Sequence, residues 1–190
     1  MTSTPLPPFQ TRPRWSPEEP TPRPMGCAVY TASDTRDPSN DTSGDLIVGR
    51  LLEAGHRLLD RGIIREDQAH MREKLAEALA RPEIEVVLIT GGTGVTTRDV
   101  TPEVVESLST KSIPGFGELF RLLSYADIGT STIQSRACAH LCGETLVFAL
   151  PGSTGAVRLA MDEILIPQLD VRHTPCNFAQ LMPRIRGGVS

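Results

Sequence analysis

Short apolar runs alternate along this chain with segments whose apolar positions recur at helical spacing. A short apolar run at Cys27–Thr31 predicts a strand, and a polar turn follows it. Leu46, Ile47, Leu51 and Leu52 come next at helical spacing, with Ser43 as the expected N-cap and Gly55 as the stop. Arg57–Ile64 reads as a second strand. Gln68–Ala80 reads as a helix with Met71, Leu75 and Leu79 on one face, ended before Pro82. Glu85–Thr90 is the third strand and the one expected to be most buried. Val104, Val105 and Leu108 mark a helix after Thr101-Pro102, where proline suits a first turn. A helix over Gly117–Ser124 follows, then a polar segment leading to Ser135-Arg136. A buried strand at Glu144–Leu150 and a helix through Val157, Met161 and Ile164, capped by Ser153, complete the pattern.

Alternation of this kind predicts an α/β fold, with a mainly parallel sheet and helices on both faces. Ligands of such sheets gather at the carboxyl ends of the strands. The polar turns at Ser33, Gly91 and Gly152 all fall at that edge.

The third strand runs directly into Gly91-Gly92-Thr93-Gly94, and Asp99 and Thr101-Pro102-Glu103 follow shortly after. Glycines let the backbone approach a ligand and turn its N–H groups inward, so an anion can be held without a basic side chain. A helix start at Thr101 adds free amides and the positive end of a dipole. Asp99 stands where it could hold a metal ion beside a phosphate. The string has neither the ending of a P-loop nor the spacing of a dinucleotide fingerprint. A generic dinucleotide-binding domain is therefore disfavoured.

Composition narrows the partners. The chain has 190 residues and a net charge of −4, enough for one domain with a proper core and too acidic to suggest a nucleic-acid partner. Lys74 and Lys111 are its two lysines, so its cations are mostly arginines, whose forks suit phosphates. No apolar run is long enough to cross a bilayer and no hydrophobic signal core opens the chain, so a cytoplasmic protein is expected. Residues 1–24 hold eight of the sixteen prolines and are expected to be a flexible tail. The domain is expected over 25–178, and a C-terminal tail over 179–190. Cys138 and Cys142 are spaced like neighbours on one helical face, with His140 between them. A metal there would need two further ligands, such as His173 and Cys176, and buried small residues are the simpler expectation.

The joined string from Gly91 to Glu103 resembles the MoaB/Mog family of molybdenum cofactor biosynthesis proteins. Tyr30-Thr31-Ala32-Ser33-Asp34-Thr35-Arg36, Asp41-Thr42-Ser43-Gly44 and Gly115-Phe116-Gly117-Glu118 carry the same resemblance, as do Ile128–Ala137, Leu150–Thr154 and Pro167–Asp170. Gly-Thr-Ser-Thr-Ile-Gln-Ser-Arg and Pro-Gly-Ser-Thr look more like the MoaB subgroup. The resemblance implies a three-layer α/β sandwich and a homo-oligomer, a trimer or a dimer of trimers. It also implies binding of molybdopterin and transfer of AMP from Mg-ATP to its terminal phosphate, with the product passed toward a molybdate-insertion protein. A non-catalytic molybdopterin-binding or assembly protein is the alternative.

The same resemblance assigns the site. Asp99 matches the catalytic aspartate and would hold Mg²⁺; a capping or turn aspartate is the plain alternative. Gly91, Gly92, Thr93 and Gly94 would cradle a phosphate chain. Ser33 and Asp34 would reach a phosphate or the pterin, unless they merely form an Asx-turn. Thr101 and Glu103 would contact ligand or support the helix start. Ser135 and Arg136 would bind the pterin phosphate, unless the arginine pairs with a structural carboxylate. Pro151, Gly152 and Ser153 would form a second ligand loop. Glu118 is open between a ligand-side carboxylate and an intersubunit contact. The chain departs from the family at Glu66, which stands where many members carry an aspartate; Glu66 is taken as a catalytic carboxylate one methylene longer, with Asp67 as the substitute if the register slips by one.

Overall fold

The structure, a computed structural model, describes residues 21–187. Strands β1 (Gly26–Ala32), β2 (Arg57–Ile64), β3 (Val86–Thr90), β4 (Lys111–Ser112), β5 (Cys138–Cys142) and β6 (Thr145–Leu150) form one sheet in the order β2-β1-β3-β6-β5-β4. The four strands β2, β1, β3 and β6 run parallel, and β5 and β4 continue the sheet antiparallel.

The central strands are buried on both faces, which is why they read as apolar runs without alternation. Their side chains still sort with the period of the pleat. Cys27 and Val29 of β1, Val86 and Leu88 of β3, and Leu146, Phe148 and Leu150 of β6 meet one helical layer. That layer contains α1 (Thr42–Glu53), α4 (Pro114–Ile128), α5 (Thr154–Ala160) and α7 (Phe178–Ile185). Ala28, Tyr30, Val87, Ile89, Val147 and Ala149 face the other way, against α2 (Gln68–Leu79) and α3 (Thr101–Ser107). The expected three-layer α/β sandwich is therefore present.

Several local expectations are corrected. Asp41, not Ser43, caps α1: its carboxylate accepts the amide of Gly44 at 3.0 Å and the hydroxyl of Thr31 at 2.9 Å. Ser43 lies inside the helix and donates its hydroxyl to the carbonyl of Gly152 at 2.9 Å, tying α1 to the turn after β6. Cys138, His140 and Cys142 lie on a strand rather than a helix. His140 Nδ1 is 2.9 Å from Ser109 Oγ, and the buried Cys142 thiol faces the carbonyl of Val105 at 3.9 Å. β5 turns into β6 through Gly143, whose φ of +61° suits a residue without Cβ.

The expected helix over Gly117–Ser124 is the middle of a longer one. It begins at Pro114 and ends at Ile128, and a 3₁₀ turn over Gly129–Gln134 continues it. A π-helical turn, Met161–Leu165, extends α5 into α6 (Ile166–Gln168).

Both expected tails are also affected. Residues 179–187 are not a tail: α7 buries Ala179 and Met182, and Phe178 packs edge-on to Phe148 with ring centroids 5.9 Å apart. Its N-cap, Asn177, is buried. The expected N-terminal tail lies outside the described residues except for its last four. Of these, Arg23 pairs with the buried Glu85, just ahead of a fully buried Met25.

Candidate active site

A cavity of about 490 Å³ opens at the carboxyl ends of the parallel strands. One wall is the loop after β1, with Ser33 and Arg36; another is the glycine loop after β3; a third is Pro151-Gly152-Ser153 after β6. Glu66, from the loop after β2, and Asp99 also line it. The end of α4 and the 3₁₀ turn close the last side with Phe120, Ser124, Ile128, Ser131 and Ser135.

Packing decides why the loop after β3 needs its glycines. Gly91 has φ +102°, and a Cβ there would lie 2.3 Å from the carbonyl oxygen of Ala32. Gly92 has φ +63°, and its Cβ would lie 2.5 Å from Thr101 Oγ1. No L side chain fits either place without strain.

The hydrogen bonds of this loop show what it presents. The carbonyl of Gly91 accepts Thr101 Oγ1 at 2.8 Å, and that of Gly92 accepts the Thr101 amide at 3.1 Å. The carbonyl of Thr93 accepts the Arg136 amide at 3.0 Å, and that of Gly94 accepts Arg136 Nε at 2.6 Å. All four carbonyls are thus turned away and occupied. The Gly91 amide donates to Leu150 O at 2.9 Å, and the Gly94 amide faces the Asp99 carboxylate and helps to lower its pKa. The amides of Gly92 and Thr93 have no partner within the described chain. Two unpartnered donors in a loop whose acceptors are all bound are able to receive an anion, and the loop is called a cradle in that sense.

Asp99 Oδ2 accepts the amide of Thr96 at 2.8 Å and its hydroxyl at 2.6 Å. Burial pushes this carboxyl up, but the hydrogen bonds from Thr96 and Gly94 and the charge of Arg136 outweigh it, and its pKa is lowered. Glu66 behaves oppositely: burial, then the negative charge of Asp99, raise its pKa. Glu66 and Asp99 thus line the same cavity as two carboxyl groups whose affinities for a proton are displaced in opposite directions.

The structure does not bring every expected residue to the cavity. Thr101 is buried and holds the glycine loop from behind. Its amide is bound to Gly92 O, so the helix start does not supply the free donor expected there. Arg136 lies outside the lining: beyond its bond to Gly94 O, it donates Nη2 to Asp99 O at 2.7 Å and pairs with Glu103. This pairing with a structural carboxylate replaces the expected phosphate contact, and it lowers the Glu103 pKa. Asp34 also lies outside; it pairs with Arg98 and accepts the Glu66 amide at 3.2 Å. Ser33 does line the cavity while forming a local turn, its Oγ accepting the amides of Thr35 and Arg36. Ser153 caps α5 as expected, accepting the Ala156 amide at 3.4 Å. Glu118 lines a separate groove with Ile133 and Arg121.

Two lining features escaped the residue-by-residue reading. Arg36 sits in a string noted only for its likeness, and no spacing rule marks it. Ile128 and Ser131 reach the cavity because α4 runs on beyond its expected end and a 3₁₀ turn continues it, while Phe120 enters from the part of the helix that was expected.

Comparison with known proteins bears on this arrangement. Residues 28–171 match the family described as "probable molybdopterin binding domain". Molybdenum cofactor biosynthesis protein B of Escherichia coli (strain K12) is 46% identical over 155 residues, covering 82% of this chain and 91% of that protein. A crystal structure of molybdenum cofactor biosynthesis protein B superposes with a TM-score of 0.80 at 38% identity, over 88% of this chain and 99% of that one. The tungsten cofactor synthesizing protein MoaB from Pyrococcus furiosus superposes at 0.67 and 34% identity, over 75% and 91%.

Proposed function

This chain belongs to the molybdopterin-binding family of molybdenum cofactor biosynthesis proteins, and we propose that within it the chain is an adenylyltransferase. It binds molybdopterin and moves AMP from Mg-ATP onto the terminal phosphate of the pterin. The observation that carries the reading is the pair of unpartnered amides at Gly92 and Thr93, set in a loop whose four carbonyls are occupied and flanked by Asp99 and Glu66.

The reaction needs no protein nucleophile. A terminal phosphate oxygen of molybdopterin attacks the α-phosphorus of ATP. The bond from that phosphorus to the bridging oxygen breaks, and its electron pair leaves with pyrophosphate. What the protein must supply is alignment and charge stabilisation. The amide cradle holds one phosphate chain in place. Pro151-Gly152-Ser153, tied to α1 by the bond from Ser43 to Gly152 O, forms the wall beside it. Asp99 is kept ionised by Thr96 and Gly94 and oriented into the site.

Asp99 and Glu66 would hold Mg²⁺. Among the described residues no group of three or more His, Cys, Asp or Glu is placed to hold a metal. Two carboxylates suit Mg²⁺ nonetheless, because that ion completes its shell with water and substrate phosphates. When bound, it would neutralise charge on the departing pyrophosphate.

One observation favours the alternative of a protein that binds molybdopterin without adenylylating it. Arg98 lies 3.9 Å from Glu66 while also pairing with Asp34, so Glu66 already has a cationic neighbour. The expected trimer or dimer of trimers requires a contact surface, and Leu119, Leu122 and Tyr125, three exposed apolar side chains along α4, offer one. The adenylylated product would pass to a molybdate-insertion protein. No helix of the described chain is long and apolar enough to cross a membrane.

The test is AMP transfer: purified protein with fresh molybdopterin, ATP and Mg²⁺, following pyrophosphate release. Asp99→Asn, which keeps a hydrogen-bond acceptor for Thr96, serves as control. The expected result is transfer by the wild type and a drop of at least a hundredfold in the variant. Tight molybdopterin binding without transfer by the wild type would replace the enzyme with the binding protein.

A further inference from the structure

The cavity is well supplied with acceptors and short of cations. Asp41, Glu66 and Asp99 bring three carboxylates to its lining. Asp41 is satisfied by Thr31, by the amide of Gly44 and by Arg61 at 3.2 Å, so it makes no demand on a ligand. Among the described residues that line the cavity, Arg36 is the sole lysine or arginine. Amides donate hydrogen bonds but carry no net charge, and on the proposed reading two polyanionic substrates meet here beside the carboxyl groups of Glu66 and Asp99.

The loop that carries Arg36 is held in shape by its own side chains. Ser33 Oγ accepts the amides of Thr35 at 3.2 Å and Arg36 at 3.1 Å. Asp37 accepts the Ser39 amide at 2.8 Å and Asn40 Nδ2 at 3.0 Å, and Asn40 Oδ1 accepts the Asp37 amide at 3.0 Å. Arg36 itself donates Nη1 to the carbonyl of Asn40 at 2.8 Å, and this bond orients the guanidinium. Its Nε and Nη2 make no hydrogen bond or ion pair within the described chain. A fork oriented at one nitrogen and free at the others is ready for a phosphoryl group.

We propose that Arg36 is a phosphate-binding residue of this cavity. It takes a phosphoryl group of the substrates from the loop after β1, which neighbours the loop that carries the Gly92 and Thr93 amides. That group is either the terminal phosphate of the pterin or a phosphate of the nucleotide. The proposal rests on the reading that the cavity takes phosphorylated substrates. It adds the one fixed positive charge that the cradle lacks.

The experiment compares wild type, Arg36→Ala and Arg36→Lys by calorimetric titration with molybdopterin, dephosphorylated molybdopterin, ATP and inorganic pyrophosphate, and by AMP transfer. Arg36 is exposed and its bonds are local, so unchanged melting temperatures are expected. Removing one charge-assisted contact should weaken binding of its phosphate ligand by about ten- to a hundredfold. Lysine should restore part of the loss, because it returns the charge without the fork.

A loss with molybdopterin but not its dephosphorylated form assigns the pterin phosphate; a loss with ATP and pyrophosphate assigns the nucleotide. Affinities within twofold of wild type for all four ligands would overturn the proposal. The two readings separate cleanly. Wild-type transfer with an unaffected Arg36→Ala variant sinks the Arg36 assignment alone. Phosphate binding that is lost in the variant, without any transfer by the wild type, sinks the adenylyltransferase alone. Absence of binding by the wild type sinks both.

Discussion

The contact between Gly92 and Thr101 yields a prediction whose size follows from the structure. In Gly92→Ala the new Cβ would sit 2.5 Å from Thr101 Oγ1, while Thr101 Cβ lies at 3.5 Å, an ordinary contact. The backbone at φ +63° costs an L residue about 1–2 kcal/mol. Displacing the Thr101 hydroxyl strands the carbonyl of Gly91, for a further cost of about 1–3 kcal/mol. The single variant should therefore lose about 2–5 kcal/mol of folding stability. Thr101→Ala strands the same carbonyl and should lose about 1–3 kcal/mol.

In the double variant the clash no longer exists, since only the hydroxyl caused it. The pair should then lose about 2–5 kcal/mol, no more than Gly92→Ala alone, instead of the sum of the two. Urea unfolding of all four proteins at one protomer concentration measures the cycle. A shortfall from additivity of about 1–3 kcal/mol is expected. Losses that add to within about 0.5 kcal/mol would show that the hydroxyl and the glycine do not compete for one space, and the reasoning would fail.

Other expectations follow from single contacts. Gly92→Val should also abolish molybdopterin binding, because a branched side chain distorts the cradle; wild-type affinity in that variant would remove the cradle from the mechanism. Glu66 has a raised pKa, so its charged form is lost first as pH falls. AMP transfer should decline on the acid side at a pH above the ordinary glutamate range, and an unchanged acid limb in Glu66→Gln would assign that decline elsewhere. His56 is buried and accepts the amide of Met25 at 3.2 Å; burial lowers its pKa, despite the opposing charges of Asp170 and Glu85. The unfolded chain therefore takes up the proton first, so stability present above about pH 6.5 is lost as pH falls below it. Melting curves from pH 7.5 down to about 5 should show this, and His56→Gln should flatten the slope; an equal slope would clear His56 of the effect. Asn177 caps α7 through Gln180 at 2.7 Å and holds the carbonyl of His173 at 2.8 Å. Asn177→Ala should lose about 2–4 kcal/mol in urea unfolding, and a loss under about 0.5 kcal/mol would mean that α7 contributes little.

The chain on its own determined the features that rest on local periodicity and backbone sterics. The apolar runs of β1, β3 and β6 were legible because each strand is covered on both faces, so nearly every position must be apolar. The glycine loop was legible because the turn from β3 admits no Cβ at Gly91 or Gly92. The parallel order of these strands placed their loops at one edge, and with them Asp99, Glu66, Ser33 and Ser153.

What tertiary structure decided is how polar groups pair across long stretches of chain. Arg136 could have met a phosphate; it is committed instead to Gly94, Asp99 and Glu103, all more than thirty residues away. Asp41 rather than Ser43 caps α1 because Thr31 and Arg61 converge on its carboxylate from other strands. Cys138–Cys142 pairs as a strand because β6 and the short β4 lie on either side of it, although its spacing also suits a helix. Spacing along the chain constrains neighbours on one element, whereas hydrogen-bond partners are chosen in space. For that reason the glycine loop could be read from the sequence, while the pairing of the charges around it was decided only in the folded protein.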